Sequence, residues 1–354
     1  MKNSLLISTG GSGGHVIPAT ILYEHLAQQN SVIISIDKRG LKYLDKNNYQ
    51  FKIINTPKLS NFLLLPINLI VILFLTCKSL YFLKKKKINI MFSTGGYMSL
   101  PLILAARVLK LKLYLLEPNH VLGRANKYFL KSCTKIFCYS KEIKNFPDQY
   151  QDKKIVINPL VKEEIYHLKS QKKITDKFNI LVVGGSQGAK IFDDKLKDII
   201  VNLSKKNSIK IVQQTNKKNI SYLANFYKEN NIENEIFSFT QNFEKIIYQS
   251  DLCITRAGAS TLAELSVLNV PFITVPLPTA KDDHQYENAR FFKNKDCCWM
   301  VEQKNFEKQI QEILKNIFDE KSDYLNKKEN LKKLNYQNTW INVNQKLLEI
   351  INEN

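Results

Sequence analysis

The sequence predicts an α/β protein of two doubly wound halves, each a parallel sheet with helices on both faces, facing one another across a cleft. Two observations carry that prediction. Short apolar runs alternate with helical patterns along the whole 354-residue chain, and such alternation builds parallel sheets. The pattern also starts twice. Strand, glycine-rich turn and helix open the chain at "STGGSGGH" (8–15) and recur at "LVVGGSQGAK" (181–190). At this length two domains of similar size are the simplest division.

In chain order, "SLLIS" at 4–8 reads as the first strand and 19–29 as the helix beyond the glycines. Strands at 32–36, 89–93, 112–116, 135–138 and 155–157 complete the first half. Between the strands at 32–36 and 89–93 lies "NFLLLPINLIVILFLTCKSLYFLKKKKI" (61–88), uncharged from Phe62 to Cys77 and closed by Lys84 to Lys87. A membrane-spanning helix needs about 20 apolar residues, and Pro66, Asn68 and Lys78 interrupt this run. The expectation is a helix with one face in the core and the other wetted by lipid, held there by its basic end. The polar stretch 159–178 reads as a linker. The second half then repeats the alternation, with strands at 179–183, 209–213, 235–238, 252–254, 272–275 and 298–301. This divides the chain into domains 1–158 and 159–354, with the C-terminal helix able to pack back on the first.

The formal net charge is +20, but the basic residues are overwhelmingly lysine; the arginines are Arg39, Arg107, Arg124, Arg256 and Arg290. A lysine excess spread evenly argues against nucleic acid and for attraction to anionic lipid or phosphorylated substrates. Six cysteines include no Cys-x-x-Cys pair, which argues against zinc and for a reducing compartment. The apolar stretch before the first glycines is too short for a signal peptide.

Glycine clusters cost backbone entropy, so they mark a turn with unusual φ or a close approach to a ligand. Strand, glycine loop and helix together point free backbone N–H groups at an anion. The spacing G-G-S-G-G-H is not the dinucleotide-binding G-x-G-x-x-G. No acid is well placed for a ribose, because Glu24 falls inside the helix and Asp37 comes late. Further loops follow predicted strands: "STGGYMSLP" (93–101), "LEPNHVLGRANKYF" (116–129), "TRAGASTLAEL" (255–265) and "PLPTAKDDHQYENA" (276–289). With the two glycine loops they make six on the same edge of two sheets, where doubly wound sheets bind ligands.

GGSGGH, GGYMSLP, EPN, GGSQGA, RAGASTLAE and DDHQ, in this order, resemble the MurG family, the peripheral-membrane N-acetylglucosaminyltransferases of peptidoglycan synthesis. The resemblance runs from about residue 3 to beyond residue 300. It implies a GT-B fold of two doubly wound Rossmann-like domains, the first binding acceptor and membrane, the second binding UDP-GlcNAc. It implies inverting transfer of GlcNAc from UDP-GlcNAc to lipid I, giving lipid II, with no cofactor and no metal. Implied partners are these substrates, an anionic membrane surface and other cell-wall synthesis enzymes, but no nucleic acid. The implied location is the cytoplasmic face of the bacterial inner membrane, peripherally attached.

Roles carry over where residues match. Gly10, Gly11, Gly95, Gly96 and Tyr97 would face the acceptor; Ser12, Gly13, Gly14 and Asn119 the donor sugar. Ser186, the backbone at Thr240, Arg256, Glu264 and Gln285 would hold UDP-GlcNAc, with Glu264 on the ribose hydroxyls. Ala259, Ser260, Thr261, Leu262 and Ala263 complete that helix. His15 would be the general base, at a helix N-terminus that favours neutral imidazole, with His120 second in line. One departure stands out: after Asn158-Pro159 the family has Val-Arg, whereas this chain has Leu160-Val161-Lys162. Lysine cannot reproduce bidentate arginine geometry. Rival readings are another enzyme of the same fold, such as a UDP-GlcNAc 2-epimerase or glycolipid transferase, and a non-catalytic sugar-nucleotide-binding subunit.

Overall fold

The computed structural model describes residues 2–57, 63–168, 176–184, 190–240, 242–335 and 337–353. The chain forms two compact units, Met1–Leu160 with Trp340–Asn354, and Val161–Thr339. The last helix, Trp340–Asn352, therefore belongs to the first unit, and the change of unit falls between Leu160 and Val161.

The first sheet holds β1 (Ser4–Ser8), β2 (Ser31–Ile36), β3 (Phe51–Ile53), β4 (Ile90–Ser93), β5 (Lys112–Glu117), β6 (Lys135–Cys138) and β7 (Lys154–Val156), in the order β3-β2-β1-β4-β5-β6-β7. The second holds β8 (Phe178–Val183), β9 (Ile209–Gln214), β10 (Glu233–Phe237), β11 (Leu252–Thr255), β12 (Phe272–Thr274) and β13 (Cys298–Met300), in the order β10-β9-β8-β11-β12-β13. All neighbours are parallel. Strands such as β1, β4 and β11 are buried almost throughout, as sheets covered on both faces must be. In both sheets the order reverses direction beside the first strand, so the crevice at the carboxyl ends opens between β1 and β4 and between β8 and β11.

Only β3 has no counterpart in the sequence reading. It is three residues long, lies at the sheet edge and carries an exposed Lys52 at its centre. The first helix also starts earlier than predicted. It runs Gly13–Ala27 behind an extended Ser12, so Gly13, Gly14 and His15 form its first turn. Pro18, which has no N–H to give the carbonyl of Gly14, is tolerated inside it.

Helix Leu65–Lys85 packs beside Leu100–Val108 and buries one stripe, Ile72, Thr76, Ser79 and Leu83, at helical spacing. Ile67, Leu69, Ile70, Leu73, Phe74 and Tyr81 face outward. Two hydroxyl residues thus point inward and large apolar residues outward, the inverse of a helix on a water-facing surface. By length and composition it is the one helix among the described residues able to cross a membrane.

His25 of helix Gly13–Ala27 is fully buried and stacks on Trp340, ring centroids 3.5 Å apart. Burial pushes its pKa from 6.5 to about 3, against a smaller upward pull from Asn344. The unfolded chain therefore takes up a proton below pH 6.5 that the folded chain refuses until about pH 3. Stability is full above pH 6.5 and falls on acidification, by up to about 1.4 kcal/mol per pH unit from this group. His25→Phe keeps the stack and should flatten that slope in urea melts at a series of pH values; parallel slopes for the two proteins would remove His25 as the cause.

Candidate functional site

In the first unit the crevice between β1 and β4 is lined by the two glycine turns. Gly95 and Gly96 adopt φ of 89° and 84°, and a Cβ on Gly96 would run into Met98 Sδ. Gly10 is required for space: its Cβ would lie 2.5 Å from Asp37 Oδ1. The turns are tied across the crevice by Thr94 Oγ1 donating to Thr9 Oγ1 at 2.8 Å and Ser8 Oγ to Ser99 Oγ at 2.9 Å.

His15 is placed by the same tie. Its Nδ1 lies 2.7 Å from the carbonyl oxygen of Thr94. A carbonyl only accepts, so Nδ1 carries the proton and Nε2 the lone pair. The ring is half-buried, and the exposed Ser12 and Gly14 precede it along the chain. The helix start, the β4 loop and a defined tautomer together make a basic nitrogen at the sheet's switch point.

Two buried acids organise this region, and neither was assigned a role from sequence. Glu117 accepts four hydrogen bonds, from Asn119 N and Nδ2, Gly123 N and Asn126 Nδ2. It thereby fixes which way the Asn119 amide points. Asp37 stands at the end of β2, where dinucleotide-binding sheets keep a ribose-binding acid. Its Oδ1 instead accepts from Gly11 and Gly40 amides at 2.8 and 2.9 Å, and its Oδ2 pairs with Arg39. That explains physically why the first unit does not read as a dinucleotide site. His120 is buried in the loop after β5.

In the second unit Ser186 falls outside the described residues, as do residues 185 and 187–189. Helix Ala259–Val267 begins at the β8/β11 switch point behind Gly258. Leu262 and Ala263 are core residues, and the Leu262 amide already bonds Gly258. Ala259, Ser260 and Thr261 are half-buried in the first turn, and the Ser260 hydroxyl has no partner among the described residues. Arg256 spends its guanidinium on the carbonyls of Val275 and Pro276 and on Gln303, above the Phe192 ring. It braces the ends of β11 and β12. The Gln285 carbonyl accepts from Leu277 N, which leaves its NH₂ as the end of the side chain able to donate. Thr240, three residues beyond β10, accepts from Asn242 N.

Glu264 is buried on helix Ala259–Val267. Burial raises its pKa from 4.5 to about 7; Lys162 pulls it down and Glu244 pushes it up. Lys162 Nζ lies 3.6 Å from Glu244 Oε2. The lysine standing at the family's arginine position thus pairs with Glu244 and acts on Glu264 through its charge. Glu244, on helix Phe243–Gln249, was not singled out from sequence, where nothing marks it off from other helix-surface acids.

Among the described residues no group of three His, Cys, Asp or Glu side chains converges as a metal site requires. An open groove lined by Lys177, Lys210, Glu233 and Gln249 lies at the amino ends of β8–β10, away from these loops. Its charges already pair with each other.

Residues 5–138 match the glycosyltransferase family 28 N-terminal domain and residues 179–339 the family 28 C-terminal domain. The chain is 50% identical over 356 residues, 100% of both chains, to a protein of Pelagibacter ubique (strain HTCC1062) named UDP-N-acetylglucosamine--N-acetylmuramyl-(pentapeptide) pyrophosphoryl-undecaprenol N-acetylglucosamine transferase. It is 33% identical over 341 residues to the protein of that name from Wolbachia sp. subsp. Brugia malayi (strain TRS), covering 94% of this chain and 95% of that one. Its fold is shared with the crystal structure of Acinetobacter baumannii MurG, at TM-score 0.77 and 24% identity over 99% and 100% of the two chains. UDP-GlcNAc 2-epimerase from Neisseria meningitidis, bound to UDP-GlcNAc, also shares the fold, at TM-score 0.69 and 14% identity over 99% and 100% of the two chains.

Proposed function

The chain belongs to glycosyltransferase family 28, and from that premise we propose how its residues move N-acetylglucosamine. The enzyme transfers GlcNAc from UDP-GlcNAc to the MurNAc-pentapeptide carried on undecaprenyl pyrophosphate, lipid I, and so makes lipid II. The observation that carries this is 50% identity along the full length of a transferase of that name. An epimerase shares the fold, but at 14% identity that likeness concerns the fold alone.

In our reading the first unit binds the acceptor and the second the donor nucleotide. The His15 Nε2 lone pair takes the proton of the acceptor hydroxyl as that oxygen attacks the anomeric carbon. The bond to UDP breaks on the opposite face, so the configuration inverts. Glu264 holds the ribose hydroxyls, Gln285 donates its NH₂ to the sugar, and Thr240 offers backbone to the base. The amides of the helix start at Ala259 face the diphosphate, whose charge grows as UDP leaves. Radiolabelled UDP-GlcNAc should give labelled lipid product with a lipid I analogue and no turnover without it. Acceptor-independent epimerisation would overturn the reading.

Helix Leu65–Lys85 supports attachment to the membrane that holds the acceptor. Its apolar residues face out, and Lys78 and Lys85 lie over the rings of Phe74 and Tyr81. Such pairs let a cation reach headgroups while the ring stays in lipid. With the lysines that follow, the surface suits anionic lipid on the cytoplasmic side. Binding to phosphatidylglycerol vesicles should weaken with salt and fall at least about tenfold in Ile70→Asp/Phe74→Asp, since each buried CH₂ contributes about 0.8 kcal/mol. Retention through high salt and carbonate would show that the helix spans instead.

A further inference from the structure

We propose that Arg39, set by Asp37 and braced by Tyr97, grips a phosphate of the acceptor's diphosphate. The inference rests on the reading above, in which the loops at Gly10–Gly11 and Gly95–Tyr97 face the acceptor. Both substrates carry a diphosphate, and the position of Arg39 beside those loops assigns it to the acceptor's.

The argument starts from what the glycine turn cannot do. Its Gly11 amide donates to Asp37 Oδ1 at 2.8 Å, so that N–H is spent inside the protein. The charge of an incoming diphosphate must be met in part by something else. Asp37 also supplies the means. Its side chain is 5% exposed, and its Oδ2 takes Arg39 Nε at 2.8 Å together with Nη2. Desolvation disfavours the buried carboxylate, but the bonds from Gly11, Arg39 and Gly40 outweigh it and hold its pKa below the usual range. The pair is therefore a permanent dipole with its negative end on the glycine amides and its positive end outward.

Asp37 occupies one edge of the guanidinium. Of the other three N–H groups one is shared with the Tyr97 hydroxyl, and the side chain is 43% exposed. The guanidinium carbon sits 5.1 Å from the Tyr97 ring centroid, and Nη2 lies 3.9 Å from where a Gly11 Cβ would be. The cation is thus fixed on three sides, directly over the turn, before any ligand arrives. A planar guanidinium with N–H groups still open to solvent can meet two phosphate oxygens at once, and a lysine ammonium cannot. In a chain with only five arginines among 52 basic residues, this position departs from the prevailing lysine.

The test compares wild type, Arg39→Gln and Arg39→Lys on short-chain prenyl acceptors carrying MurNAc-pentapeptide through either a diphosphate or a monophosphate. In Arg39→Gln the KM for the diphosphate acceptor should rise by about tenfold to a hundredfold, with the KM for UDP-GlcNAc little changed. The wild-type preference for diphosphate over monophosphate should shrink by the same factor. Arg39→Lys should fall between the two, since it keeps the charge and loses the fork. An unchanged acceptor KM, equal losses on both acceptors, or a rise confined to the KM for UDP-GlcNAc would each overturn the proposal. Those results all presuppose a wild-type enzyme that transfers; a wild type inactive on the diphosphate acceptor would instead overturn the function itself. Unaltered UDP affinity and thermal midpoint in both variants exclude misfolding as the cause.

Discussion

Replacing His15 by alanine should lower kcat by about 10²–10⁴-fold, the range that general-base assistance supplies, while the KM for UDP-GlcNAc changes little. The size follows from the geometry. The Thr94 carbonyl at 2.7 Å leaves Nε2 as the basic nitrogen, and the glycine turns hold that ring at the switch point of the sheet. Protonation of Nε2 removes the base, so activity should fall as acid titrates the ring. At saturating UDP-GlcNAc that acid limb should vanish from the residual rate of His15→Ala. A variant with near-normal kcat would reduce His15 to a brace between the helix and the β4 loop. An acid limb that survives the substitution would place the base elsewhere, with His120 the next residue to replace. Gly96→Ala offers an independent check. It forces a side chain against Met98 and an unfavourable φ, and should cost kcat by moving the loop that orients His15.

Most of the fold was legible because periodicity and punctuation are local. Apolar runs such as Leu5–Ile7 and Leu181–Val183 announce buried parallel strands, and the glycine and polar loops mark their carboxyl ends. β3 escaped because three residues with a lysine in the middle carry no periodicity; only pairing with Ile34–Ile36 makes them a strand. The helix start was misplaced for a different reason. Glycine reads as loop in the sequence, yet Gly13 and Gly14 accept helical geometry once Ser12 turns the chain. In the site, the residues that could meet substrate were visible at strand ends. The acids that hold them were not. Asp37 is defined by the amide of Gly11, 26 residues away, Glu117 by Asn126, and Glu244 by Lys162. No local pattern separates such an acid from one that faces water. Lys162 shows the same limit from the other side, since a departure from a family motif is visible in sequence but its new partner is not.

Glu264 makes the second large effect, and its sign can be worked through. Burial holds its pKa at about 7 against an ordinary 4.5, with Lys162 lowering and Glu244 raising it. A folded-state pKa above the unfolded one means that its contribution to stability is full below pH 4.5 and is lost as pH rises through 7. Near neutrality the unliganded enzyme therefore holds a proton there part of the time. Two ribose hydroxyls donating to the carboxylate favour its charged form, so donor binding should expel that proton, and affinity for UDP-GlcNAc should weaken as pH falls below 7. Calorimetry of UDP binding in two buffers of different ionisation enthalpy reads the proton directly. Glu264→Gln keeps the shape and loses the charge. It should raise the donor KM by about tenfold to a hundredfold, the worth of one charge-assisted hydrogen bond, and release no proton. Release that persists in Glu264→Gln would assign it to another group. Lys162→Met then isolates the neighbour. Without the ammonium that pulls the carboxyl down, the midpoint of the donor affinity should move to higher pH, while Glu264→Gln in the same background shows none. An unmoved midpoint would mean that Lys162 answers only to Glu244, and that its charge does not reach Glu264.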